Sequence, residues 1–194
     1  MANNPSFLVF RNRMQVNLRK KYGKFACPMW GNQKAKIVSI SQAPSLSVIK
    51  NQKPFSDKSG EKLRKLWYRV SDKIFYNPDN FYFAAVGMYF PGKDKKGADL
   101  KPSFKWAEEY LNRELSYLKP QLYLILGRVA AKFFFPKKDF TNLVFTDQQI
   151  NGVLALVLPH PSPANIKWFK DHSQFEKQRL IEVRKHIHFV LKIK

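Results

Sequence analysis

Leu158-Pro159-His160-Pro161-Ser162-Pro163-Ala164-Asn165 directly follows the apolar run Val153 to Val157. A short apolar run that stops at a proline reads as a buried strand. This one ends with a single titratable donor, His160, at a rigid strand tip. Open α/β sheets bind their ligands at the carboxyl ends of the strands. Taken alone, the stretch also reads as a proline-rich turn with an incidental His. A second strand end points the same way: Ile40-Ser41-Gln42-Ala43-Pro44-Ser45 likewise runs from a strand into a small-residue, proline-bearing loop.

The surrounding elements alternate. Phe7, Leu8, Met14 and Leu18 suggest an opening helix to about Tyr22, and Lys36 to Ser41 a strand rich in β-branched residues. After a loop through Pro54-Phe55-Ser56-Asp57-Lys58-Ser59-Gly60, the residues Leu63, Leu66, Trp67, Val70 and Ile74 fall at helical spacing. Lys62, Arg64, Lys65 and Arg69 then occupy a solvated face. Phe81 to Tyr89 reads as the next strand, followed by the turn-rich Pro91-Gly92-Lys93-Asp94-Lys95-Lys96-Gly97. Ser103 caps a helix lined by Trp106, Tyr110, Leu111, Leu115 and Leu118, which Pro120 ends. Leu122 to Leu126 is a third strand, Gly127 leads into a helix over Val129 to Phe134, and Val153 to Leu158 is the fourth strand. The tail from about Gln174 to Leu191 is a helix with Leu180, Val183, Ile187 and Val190 as its seam. The expectation is an α/β fold: a three-layer α/β/α sandwich around a four-stranded, mainly parallel sheet, with residues 1–194 as one domain.

Composition narrows the class. Of 194 residues, 44% are hydrophobic and 15% aromatic, which suits a folded chain with a real core. Lys and Arg number 35 against 14 Asp and Glu, a net charge of +21 that attracts a polyanion, with nucleic acid first and anionic membrane second. No apolar stretch is long enough to span a bilayer. Met1-Ala2-Asn3-Asn4-Pro5 lacks the layout of a signal peptide, and the single Cys27 excludes an intrachain disulfide framework. A cytoplasmic protein, monomeric and facing nucleic acid, is expected.

The two loops and their companions resemble the uracil-DNA glycosylase superfamily. Ser41-Gln42-Ala43-Pro44-Ser45 is similar to its first motif and His160-Pro161-Ser162-Pro163 to its second. Pro54-Phe55 and Ser59-Gly60 are similar to elements of the branch related to iron–sulphur glycosylases. Pro91-Gly92, Gly97-Ala98-Asp99 and Pro102-Ser103 match a stretch found in members near that branch, and Leu126-Gly127 with Ala130 matches its Leu-Gly-X-X-Ala turn. The resemblance runs from about Lys36 to Trp168.

It implies a glycosylase that removes uracil or another deaminated base from DNA without a metal or organic cofactor. Breaking the bond puts negative charge on the departing base, and preorganised donors in a water-poor site stabilise it. The resemblance gives that donor role to His160, with Pro161 and Pro163 stiffening its loop. Phe55 is the stacking face for the flipped base, or else an ordinary core Phe. Ser41, Gln42, Ala43, Pro44 and Ser45 line the pocket and leave room for the deoxyribose. Ser59, Ser162 and Asn165 are expected at phosphates. Ile166 or Trp168 is the apolar wedge, with Lys167 on an adjoining phosphate; Trp168 alternatively anchors the last helix. His172, His186 and His188 read as surface residues.

Three departures from the family pattern stand out. The first motif carries Gln42-Ala43 where many members have a carboxylate or Asn. The strand position of a base-reading Asn falls at Ala84 or Ala85. Cys27-Pro28-Met29-Trp30 stands where iron–sulphur relatives have Cys-X-X-Cys, so a four-cysteine cluster cannot form. Gln42 and Asp57 therefore join His160 as the residues assigned to catalysis, with Asp57 the nearest substitute carboxylate and Asp99 a more distant one. Either Asp is alternatively a loop cap. The rival reading is a glycosylase-like protein that binds nucleic acid without excising a base; an RNA-binding role resting on charge and aromatics is a weaker third.

Overall fold

In the central strand β1 (Ile37–Ser41), Ile37, Val38, Ser39 and Ile40 are all buried, as expected of a strand covered on both faces. The computed structural model describes residues 6–162 and 165–193. Met1 to Pro5, on which the expectation about a leader rests, and Pro163, assigned a stiffening role, lie outside them. β1 pairs in parallel with β2 (Phe81–Ala85) on one side and β3 (Leu122–Leu126) on the other. β3 pairs in parallel with β5 (Val153–Leu158), giving the order β2-β1-β3-β5-β4.

The sheet thus has five strands among the described residues, where four were expected. The additional strand is β4 (Gln148–Ile150), antiparallel to β5 across a tight turn at Asn151 and Gly152, φ 51° and 77°. Two of its three residues are Gln, so no apolar alternation marks it. At the opposite edge, Trp30 forms an antiparallel bridge with Phe83, whose N–H donates to the Trp30 carbonyl at 3.0 Å.

Helices cover both faces. Tyr82 packs against Phe7 of α1 (Phe7–Tyr22) and donates to Glu114 of α5 (Asn112–Ser116). Phe81 and Phe83 point the other way, as alternate strand residues must. Phe81 stacks on Tyr68, and both rings meet Phe75. Between β1 and β2 run α2 (Leu46–Asn51), α3 (Lys58–Glu61) with its π-helical continuation Lys62–Tyr68, and α4 (Asp72–Phe75). Further on come α6 (Gly127–Phe134), α7 (Phe140–Phe145), α8 (Ile166–Asp171) and α9 (Leu180–Leu191), whose expected seam is buried. No described helix is long and apolar enough to cross a membrane.

Three expectations are corrected. The helix drawn through Leu63 and Ile74 is broken. The π turn adds a residue and rotates the buried face to Leu63, Arg64, Trp67 and Tyr68, leaving Leu66 61% exposed, and Arg69 at φ 53° ends the run before Ser71 caps α4. The strand from Phe81 stops at Ala85, because the next residues leave the sheet and Tyr89 pairs with Ala26. His172, His186 and His188 are half-buried rather than surface residues. His188 Nε2 lies 2.8 Å from the Tyr68 carbonyl and His172 packs on Trp168.

Strand order fixes where ligands meet the sheet. From β1 the chain first adds β2 on one side, then crosses back to add β3 on the other. A switch of that kind opens a crevice at the carboxyl ends of the strands. At that end the chain leaves β1 and β5 through loops that carry Gln42 and His160, and leaves β3 directly into α6 at Gly127.

Candidate active site

His160 sits one residue beyond Pro159, at the end of β5. Its Nδ1 accepts a hydrogen bond from the Ser162 backbone N–H at 3.3 Å. In a neutral imidazole one nitrogen accepts and the other donates, so the proton resides on Nε2. Burial lowers the His160 pKa, against the pull of the Asp57 and Asp99 carboxylates, and so favours that neutral form. The Asn165 side-chain amide donates to the His160 carbonyl at 2.7 Å, and its backbone N–H to the Ser162 carbonyl at 3.1 Å. The loop is therefore held by its own residues, and the orientation of the imidazole is set before a ligand arrives. Asn165, expected at a phosphate, serves here as a brace for the His160 loop.

The first loop is tied to the strand beside it. Ser41 and Gln42 carbonyls accept from the Val86 and Gly87 N–H groups, both at 3.0 Å. Ser45 caps α2 by accepting from Val48 N–H at 3.4 Å, and its hydroxyl donates to Asp57 Oδ2 at 3.2 Å. The Gln42 amide donates to the Leu100 carbonyl at 3.3 Å, fastening the loop to the segment after β2. Ser41, Gln42, Ala43 and Ser45 are half-buried and Pro44 is buried.

In the second loop Asp57 caps α3, its Oδ1 accepting from Gly60 N–H at 3.0 Å. Both carboxylate oxygens are thus engaged, while the charge still reaches His160. Phe55 takes φ 50°, and its ring meets Phe83 edge-on at 5.4 Å. Its carbonyl accepts from Arg64 at 2.8 Å and from the Tyr76 hydroxyl at 3.1 Å. A side chain at Gly60 would collide with that carbonyl, since a Cβ there would lie 1.8 Å from the oxygen. Arg64, Tyr76 and Gly60 therefore hold Phe55 half-buried against Phe83. Arg64 is 8% exposed, not part of a solvated face as its neighbours suggested.

Placement separates the remaining candidates. Trp168 packs among Phe140, Phe145, Phe169 and Phe175, and its indole donates to Thr141 at 3.3 Å. It anchors α8, which leaves Ile166, 61% exposed, as the apolar tip after the His160 loop, beside the exposed Lys167. Ser59, in α3, and Ser162, in the His160 loop, are half-buried. Ala85 is 4% exposed and lies in the cluster that includes Phe10, Met14 and Trp106, so its methyl is a packing group. Cys27 does not fit an iron–sulphur role. It is the chain's single cysteine, and burial first, then the charge of Glu114, pushes its thiol up to about 12.

Residues 28–184 match the family described as the Uracil DNA glycosylase superfamily. The type-4 uracil-DNA glycosylase of Saccharolobus solfataricus is 24% identical over 153 residues, covering 74% of this chain and 68% of the relative.

Proposed function

Because the chain belongs to the uracil-DNA glycosylase superfamily, we propose that it hydrolyses the N-glycosidic bond of uracil, or of another deaminated base, in DNA. It acts as a single-domain monomer and as a monofunctional glycosylase. The observation that carries this reading is the neutral His160, whose Nδ1 accepts from Ser162 and whose Nε2–H is left as a donor at the strand ends. As the bond from C1′ to the base breaks, its electron pair passes to the base. His160 Nε2–H donates to the oxygen on which that charge gathers. Removing one such preorganised donor typically costs about 10²–10³-fold in rate.

Phe55 stacks the extruded base, while Ser41 to Ser45 enclose it and its sugar. Asp57 places negative charge beside the developing sugar cation and accepts a hydrogen bond from the attacking water, with Gln42 orienting that water. Oxygen from water then joins C1′, and one water proton leaves to the base or to solvent. Ser59, Ser162 and Lys167 meet phosphates, and Ile166 enters the space left by the base. The charge of +21 supplies salt-dependent, sequence-independent attraction to the strand.

One observation favours a second reading, DNA binding without excision. Both Asp57 oxygens already cap neighbouring groups, and the first motif carries no carboxylate of its own. Strand cleavage after alkali distinguishes the two, with oligonucleotides holding one uracil, hypoxanthine or xanthine, single-stranded and paired. Cleavage that disappears in His160→Ala supports excision and identifies the base. Salt-sensitive binding with no cleavage of any substrate supports the binder.

A further inference from the structure

After β2 the chain projects a lysine-rich hairpin, residues 91–101, next to the candidate site. It is built from its own contacts. Asp94 N–H donates to the Ala98 carbonyl at 2.8 Å, Gly97 N–H to the Asp94 carbonyl at 3.0 Å and Leu100 N–H to the Gly92 carbonyl at 3.0 Å. The Asp94 carboxylate also accepts from the Lys96 and Ala98 N–H groups at 2.8 and 2.9 Å. Lys93 and Asp99 face each other across the hairpin, Nζ to Oδ1 3.9 Å. Both acidic side chains are thus turned to internal contacts. Lys95, Lys96 and Lys101 are exposed and make no side-chain hydrogen bond or ion pair among the described residues.

The arm is rooted at the site. The amide of Gln42, in the loop after β1, holds the Leu100 carbonyl at 3.3 Å. Pro102 lies so close to Gly87 that a Cβ there would be 2.5 Å from the proline ring. Asp99, next to Leu100 in the hairpin, is one of the two carboxylates that oppose the lowering of the His160 pKa. Among these lysines stands one exposed apolar side chain, Leu100, at 44% exposure. Proteins that grip a deformed duplex pair cationic phosphate contacts with an apolar wedge.

Building on the reading that this site excises a base from DNA, we propose that the hairpin is a second DNA grip. Lys95, Lys96 and Lys101 hold backbone phosphates beside the extruded nucleotide, and Leu100 presses on the exposed base stack. Because the tip is ordered by its own hydrogen bonds, little ordering remains to be done on binding.

The test is a salt series of binding by fluorescence anisotropy, using a duplex oligonucleotide with one abasic-site analogue. A Lys95, Lys96, Lys101→Ser variant is compared with a charge-matched Lys34, Lys36, Lys119→Ser variant. The latter three stand just before β1 and β3 and so lie at the other end of the sheet. Each phosphate contact contributes about 0.9 to the slope of log K against log salt. The hairpin variant is expected to lose about 2–3 from that slope, and the control variant less than about 1. Leu100→Ala weakens binding about fivefold and leaves the slope in place. A wild-type slope in the hairpin variant, or the same loss in both variants, overturns the proposal. Base release from a uracil duplex is scored on the same proteins. Release without a slope difference sinks the hairpin alone, whereas a slope difference without release keeps the hairpin and removes the excision reading.

Discussion

Gly127 and His160 meet across the ends of two neighbouring strands. Gly127 follows β3 with φ +86°, and a Cβ on it would lie 3.4 Å from the His160 Cβ. The imidazole is seated against a backbone conformation that L side chains rarely adopt, and the β3–β5 pairing fixes the strand ends from which both residues emerge.

Gly127→Ala has room for its methyl but not the backbone for it. A non-glycine residue at positive φ costs about 1–2 kcal/mol. Denaturant unfolding should show a loss of that order, accompanied by slower base release as the start of α6 shifts beside His160. Unchanged stability would mean that residue 127 relaxes to a negative φ without consequence.

If His160 is the donor proposed above, the pH profile of base release follows from it. Its pKa is lowered by burial from the ordinary 6.5, so the neutral donor form prevails at neutrality. Release under kcat/KM conditions should be level above neutrality and fall on an acid limb lying below 6.5. Stability carries the same sign. Below 6.5 the unfolded chain takes up a proton that the folded one resists, so this contribution to stability is lost as pH falls. A rate that climbs as pH drops through that region would assign His160 a protonated role instead.

Gly60→Ala strikes the Phe55 carbonyl, since the new Cβ would lie 1.8 Å from that oxygen. Backbone must move, breaking the contacts of that carbonyl with Arg64 and Tyr76. The expected cost is about 3 kcal/mol, at the upper end for overpacking. Protease sensitivity within residues 52–60 is the accompanying readout, and an unaltered digestion pattern would show that Phe55 does not depend on this packing.

Glu114 is wholly buried beneath Tyr82, and burial pushes its carboxyl from 4.5 up to about 7, with Tyr82 and Arg11 pulling it back. The folded chain therefore keeps a proton that the unfolded chain releases. This contribution to stability is full below about 4.5 and declines as pH rises to about 7. Glu114→Gln still accepts from Tyr82 and carries no charge. It should be near neutral at pH ~5 and stabilising by about 2 kcal/mol at pH ~8. Equal effects at both pH values would refute the buried acid.

What could be read from the sequence follows burial. β3 and β5 are apolar from end to end because a parallel strand faces helices on both sides, so their runs announced themselves and placed His160. β4 carries Gln148 and Gln149 and gave no such run. The Asn151-Gly152 turn beside it was the signal to use, since that pair favours the tight turn that joins two antiparallel strands. Arg64 was unreadable for another reason. Its neighbours Lys62 and Lys65 fit a solvated face, and only the π turn rotates Arg64 inward beneath Phe55. The brace that Asn165 makes was out of reach too, because nothing in the sequence shows that the carbonyl it holds lies five residues back.

The two margins of the sheet bear on how this protein can be crowded along a strand of nucleic acid. Unpaired strand margins are templates on which chains add to one another and aggregate. Here one margin is the three-residue, glutamine-bearing β4, and the Trp30 segment bridges the other at Phe83. Molecules drawn together on one polyanion, with their mutual repulsion neutralised by it, thus find little open backbone through which to zip into a common sheet.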